Sequence, residues 1–259
     1  MRVILFLIFI YSFSVSAQQS IQVDFLEKWP IDTDQIVSIN QFKNIYSIDD
    51  NVIQLGSDLG LLEYSNVQLG TITSANAFNP LKVNLFYKDF NSVVILDNRL
   101  AEITKLDFNA LTPFRLITFV STGNDNTIWI YNQNTQQIEL FDYLTLKTRI
   151  VSLPISGEPL DLISNYNFCW LLTKDEILTY NYFGSLLEKL PNDGFTKIIN
   201  SQENLFLLKE NKLYFKAENS NTILPIDHPE LLIKQFLVTN ETLYIYDGEV
   251  LHHFRIKFN

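Results

Sequence analysis

Side chains that commonly carry chemistry are sparse in this 259-residue chain, which has three histidines and one cysteine. His252 and His253 are adjacent in an apolar run, so in a strand their rings point to opposite faces and cannot share one metal ion. His228 sits in Pro225-Ile226-Asp227-His228-Pro229-Glu230, where two prolines suggest a rigid, exposed turn presenting Asp227, His228 and Glu230. We take these three as partner-binding candidates, against the plainer reading of a connecting loop. Cys169, beside Trp170 in an apolar stretch, has no second cysteine to pair with and reads as a small hydrophobe. Gly-x-Ser-x-Gly, His-Glu-x-x-His and phosphate-cradling glycine patterns are missing, so the sequence names no catalytic residue, metal ligand or cofactor.

Asp and Asn are abundant but cluster in short turns, where tolerance of positive φ is their ordinary use. Those turns punctuate a repeat. Asn44–Asp49, Asn91–Asp97, Thr127–Asn132, Asn167–Thr173, Asn204–Lys209 and Thr242–Asp247 are apolar runs with a bulky residue at the centre, each followed by a polar turn and a second apolar run. Between Tyr46, Val94, Trp129, Trp170, Phe206 and Tyr244 the separations are 48, 35, 41, 36 and 38 residues, near the length of one four-stranded propeller blade. Leu205-Phe206-Leu207-Leu208 is apolar at successive positions, as a strand covered on both faces must be. The expected fold is all-β, a six-bladed β-propeller of four-stranded antiparallel blades.

Ring closure is also expected from sequence. Phe25-Leu26-Glu27-Lys28-Trp29-Pro30 matches Leu186-Leu187-Glu188-Lys189-Leu190-Pro191, an outermost strand of the fourth repeat, while the sixth repeat reaches only a third strand. An N-terminal strand completing the C-terminal blade removes an open sheet edge.

Arg2, the apolar run Val3 to Phe13, and Val15-Ser16-Ala17 read as a signal peptide over residues 1–17, leaving 18–259 as a single propeller domain. The apolar run is too short to span a bilayer, and no cysteine follows it for lipid attachment. The expectation is an exported, periplasmic or secreted protein without a membrane span. Its formal net charge of −10 and lack of a Lys/Arg cluster argue against nucleic acid and anionic membranes as partners.

Gly123-Asn124-Asp125-Asn126-Thr127-Ile128-Trp129-Ile130, followed by Gln137-Ile138-Glu139-Leu140-Phe141-Asp142, resembles the blade signature of bacterial NHL-type and regulator-type propellers. Tyr131-Asn132 departs from the small residues usual there. The resemblance implies the architecture rather than an activity. Enzymatic six-bladed propellers hold a divalent ion at the channel mouth, so a metal-dependent hydrolase or lyase is the runner-up function. A subunit of a larger envelope assembly is a third. The leading expectation is a non-catalytic module that binds an envelope or extracellular protein, or a glycan, through loops on one ring face. Val67 to Pro80 reads as the longest inter-blade segment, with Phe78 and Asn79 as further partner-binding candidates.

Overall fold

The computed structural model describes residues 19–40, 42–57 and 60–258; the expected signal peptide, residues 1–17, lies outside them. The strands are β1 (Ile21–Pro30), β2 (Gln35–Ile39), β3 (Ile45–Asp49), β4 (Val52–Ser57), β5 (Gly60–Tyr64), β6 (Ser74–Asn76), β7 (Val83–Tyr87), β8 (Ser92–Leu96) and β9 (Glu102–Asp107). Then come β10 (Ile117–Thr122), β11 (Thr127–Asn132), β12 (Gln137–Asp142), β13 (Lys147–Val151), β14 (Pro159–Ser164), β15 (Phe168–Thr173), β16 (Glu176–Asn181) and β17 (Leu186–Pro191). The last are β18 (Lys197–Ser201), β19 (Asn204–Lys209), β20 (Lys212–Lys216), β21 (Ile223–Asp227), β22 (Gln235–Thr239), β23 (Thr242–Tyr246) and β24 (Val250–Lys257). One 3₁₀ turn, Lys88–Phe90, is the only helical element among the described residues.

β2 to β5, β6 to β9, β10 to β13 and β14 to β17 form separate four-stranded antiparallel sheets. An eight-stranded sheet holds two more groups, β18 to β21 and β22-β23-β24-β1. The first strands touch in sequence, β2 to β6, β10, β14, β18 and β22, and β22 returns to β2. The fold is a β-propeller.

Alternation explains why the middle strands carry no polar face. On β11, Ile128 and Ile130 pack toward the preceding group with Phe86, Val93 and Ile95, while Trp129 and Tyr131 pack toward the following one with Cys169, Leu171 and Leu178. Six buried clusters repeat this arrangement, one between each successive pair of groups, and the last joins Tyr244, Tyr246 and Leu251 to Ile36 and Ile39. Cys169 is buried within this packing, and burial holds its thiol well above its ordinary pKa.

Closure follows the expected strand exchange, with two differences. β1 lies antiparallel to β24 from Gln22↔Lys257 to Pro30↔Val250, so the closing strand begins at Ile21, four residues before the matching segment. Those extra residues pair in parallel with β21 at Ile21↔Ile226 and Gln22↔Asp227, tying the closing strand to the preceding group as well. The second repeat also needs correction. Val94 lies on β8, the third strand of its group, whereas the other five centres lie on second strands. Its following run, Leu100 to Ile103, leads into the fourth strand, β9. Both β7 and β8 are buried throughout, so composition does not separate second strand from third. The long first separation and short second one record this one-strand shift.

Candidate functional site

Strand direction sorts the connections between two ends of the ring. Turns after first strands lie at one end, here the turn face; connections from fourth strands to the next first strand lie at the other, the crossover face. Phe78 and Asn79 follow β6, whereas Asp227, His228 and Glu230 follow β21. The five candidates therefore do not share one face. Val67 to Pro80 is also not a single inter-blade loop, because it contains the first strand β6. Three residues of weak alternation between turns leave too little pattern to reveal that strand.

At the turn face, the ends of β2, β6, β14, β18 and β22 surround a cavity of about 520 Å³. Its polar lining is neutral: Ser38, Asn76, Ser164, Asn200, Gln202 and Asn240 are typical of it, and no Asp, Glu, Lys, Arg, His or Cys is among the described lining residues. Phe78 lines this mouth and is half-exposed, and its ring meets that of Tyr166 edge to face at 5.1 Å. Phe42, another lining residue, is 72% exposed. Asn79 contributes no lining; its Oδ1 accepts from Leu81 N–H at 3.0 Å and its carbonyl accepts from Lys82 N–H at 2.9 Å, so it shapes the turn.

Side-chain hydrogen bonds brace the mouth between neighbouring groups. Asn76 Nδ2 donates to Ser121 Oγ at 3.3 Å, the Ser121 hydroxyl donates to Ser164 Oγ at 2.8 Å, and Ser164 Oγ donates to Thr122 O, stitching β6, β10 and β14. The β18 and β22 side differs. Among the described residues, the side-chain amides of Asn200, Gln202 and Asn240 make no hydrogen bond, while Ser201 Oγ and Thr239 Oγ1 are spent on the carbonyls of Asn240 and Ile39. Gln202 and Glu203 form the β18–β19 turn at φ 50° and 66°, a left-handed pair for which Asn-Gly is the usual sequence.

The crossover face is built differently. Asn51 Nδ2 donates to Gly70 O at 2.7 Å and its Oδ1 accepts from Ile72 N–H at 2.6 Å. Asn91 does the same with Arg115 O and Ile117 N–H at 2.7 and 2.9 Å, and Asn211 with Leu231 O and Ile233 N–H at 2.6 and 2.7 Å. Each Asn sits at positive φ in the turn between the second and third strands of its group and clamps the next crossover, so its amide does more than permit a turn. Arg115 Nε also pairs with Glu139 Oε2 at 2.9 Å with both side chains buried, and Asn132 Nδ2 and Thr148 Oγ1 donate to the same carboxylate. Burial pushes the Glu139 carboxyl up, but the hydrogen bonds from Thr148, Asn132 and Arg115 outweigh it and hold it below the usual range.

Asp227, His228 and Glu230 line an open groove of about 950 Å³ with Glu210, Lys212 and Ser20. His228 Nδ1 donates to Pro229 O at 2.8 Å, which occupies one ring nitrogen within its own loop. His252 and His253 face opposite ways: His252 Nε2 lies 2.8 Å from Asp247 Oδ2, and His253 is buried between Trp29 and Tyr244, at ring distances of 4.1 and 4.7 Å. No group of three or more His, Cys, Asp or Glu among the described residues is placed to hold a metal ion, so the converging carboxylates that the runner-up function calls for are not formed by them. No described helix is long and apolar enough to cross a membrane.

Sequence reasoning found Phe78 but missed Phe42, Tyr166, Asn200, Gln202 and Asn240. All five lie at or just beyond the end of a first strand, a position the repeat would have marked had the first strands been aligned rather than the second.

No family model matches the chain, and no curated protein matches it. Solved structures do. The chain is similar to a catalytically inactive virginiamycin B lyase from Staphylococcus aureus, solved with quinupristin, at 11% identity over 93% of this chain and 96% of that one, TM-score 0.62. It is similar to a chain of a mitotic checkpoint complex at 10% identity over 100% and 99%, TM-score 0.60, and to the WD40 domain of Neurospora crassa Pan2 at 8% identity over 88% and 76%, TM-score 0.58. At these identities the likeness establishes the fold, a β-propeller, on which a lyase and members of protein assemblies are both built.

Proposed function

We propose that this chain is an exported, six-bladed binding module that engages an envelope or extracellular protein, or a glycan carried there, through the turn face. Residues 1–17 act as the export signal and 18–259 as one propeller domain. The mouth carries the proposal: exposed Phe42 and Phe78 line an uncharged cavity bounded by the first strands, and exposed Tyr166 packs on Phe78 beside it. Rigid aromatic rings give contact area at low entropic cost, and a concave site of ~300–1,000 Å³ with a few polar groups is the usual form of a ligand pocket. The neighbouring propeller in a checkpoint complex supports the reading only as an example of what the fold can do. A photo-crosslinking residue in place of Phe42 or Gln202 is expected to form adducts with the partner, and one in place of Lys212 or His228 is not. Adducts from the crossover positions alone would reverse the assignment.

A further inference from the structure

We infer that the turn-face mouth recognises a neutral oligosaccharide; this rests on the turn face being the binding face. Three observations converge. The lining sets carboxamides and Ser and Thr side chains among apolar residues such as Val37, Ile163 and Leu237 and holds no charged group, although the chain carries 29 acidic and 19 basic residues. A ligand site selecting a charged peptide, nucleotide or phosphate would place an opposite charge in it, whereas a polyhydroxylated neutral ligand needs groups that both donate and accept, as Ser, Asn and Gln side chains do. Next, Asn40 and Asn76 are bonded within the fold, but the amides of Asn200, Gln202 and Asn240 line the cavity without a hydrogen-bond partner among the described residues, whereas Asn51, Asn91 and Asn211 on the crossover face are each satisfied twice. Finally, Phe42 and Phe78 are exposed aromatic side chains lining the mouth, with exposed Tyr166 edge to face on Phe78, and the C–H-rich face of a pyranose can lie against such rings.

Gln202 adds a detail. It and Glu203 hold a left-handed turn that glycine would adopt without strain, and Gln202 lines the mouth.

The test titrates maltotetraose, cellotetraose, xylotetraose and chitotetraose into the chain, with tetragalacturonate as an acidic control, by calorimetry. At least one neutral tetrasaccharide should bind, the acidic one should not, and Phe78→Ala and Asn200→Ala should each raise Kd about tenfold. Gln202→Gly guards against misfolding as an explanation: it should weaken binding while leaving Tm unchanged or higher. No neutral binding, equal binding of the acidic control, or binding indifferent to these substitutions would overturn the inference. Turn-face crosslinks to a protein with no saccharide binding would also overturn it while leaving the face assignment standing. If saccharide binds, capture of the partner lost on deglycosylation identifies a protein-borne glycan, and binding to purified envelope polysaccharide identifies a free one; either result supports the inference.

Discussion

Asn amides in the crossover-face turns and on the β18 and β22 side of the mouth are put to opposite ends. On the crossover face, Asn51, Asn91 and Asn211 each spend both ends of the amide on the backbone of the next crossover, and Arg115 and Glu139 satisfy one another in a buried network. On the β18 and β22 side of the turn face, the side-chain amides of Asn200, Gln202 and Asn240 line a cavity and bond to no described residue. Polar groups that hold a structure together are saturated by it, and polar groups available to a ligand are not. Abundance of Asn in the sequence therefore says little about site chemistry until each amide's partners are known.

Substitution should separate the faces by stability, and the largest effect is expected at the buried ion pair. Arg115→Ala leaves the Glu139 carboxylate buried without its counter-charge and should cost ~3–5 kcal/mol in denaturant unfolding. A loss below ~1 kcal/mol would mean that Thr148 and Asn132 satisfy the carboxylate alone. Asn211→Ala should cost ~1–3 kcal/mol, because Ile233 N–H and Leu231 O both lose a partner. Asn200→Ala and Asn240→Ala should change stability by no more than ~0.5 kcal/mol, as expected for side chains that bond to nothing in the fold. Equal losses at Asn211 and Asn200 would erase the distinction between the faces.

Acid sharpens the same contrast through groups away from the mouth. The Glu139 carboxyl is held below its usual range, so its stabilisation is complete above the unfolded value of ~4.3 and is lost as pH falls through the folded value. Burial lowers the pKa of His253 despite Glu27 Oε1 at 3.6 Å, so the folded chain resists a proton that the unfolded chain accepts. Stability should then begin to decline as pH falls below ~6.5, earlier than Glu139 alone would cause. Thermal melts of His253→Gln from pH 7.5 to 5 should lose that first decline; an unchanged profile would assign it elsewhere.

Much of the architecture is legible in the chain because blade packing writes itself into composition: strands such as Thr127–Asn132 are covered on both faces, and their central residues Ile128 to Tyr131 are bulky and largely apolar at successive positions. The match of Phe25–Pro30 to Leu186–Pro191 likewise marks an outer strand, since both lie against a neighbour on one side only. Three-residue β6 is illegible for the converse reason: a short first strand near the axis packs little and leaves no pattern. The mouth was only partly legible. Phe78 stands out as an aromatic in a polar stretch, but Asn200 and Asn240 look like every other turn Asn, and only their lack of partners in the folded ring distinguishes them. Asp227, His228 and Glu230 do come together, as their spacing suggests, yet in an open groove on the other face.

The most direct test of the account is a photo-crosslinking map of the chain in its native setting, with the reactive residue placed in turn at Phe42, Gln202, Lys212 and His228. Adducts to one partner from positions 42 and 202, with none from 212 and 228, is the predicted result. Adducts confined to 212 and 228 would contradict it and move the binding site to the groove that holds Asp227, His228 and Glu230.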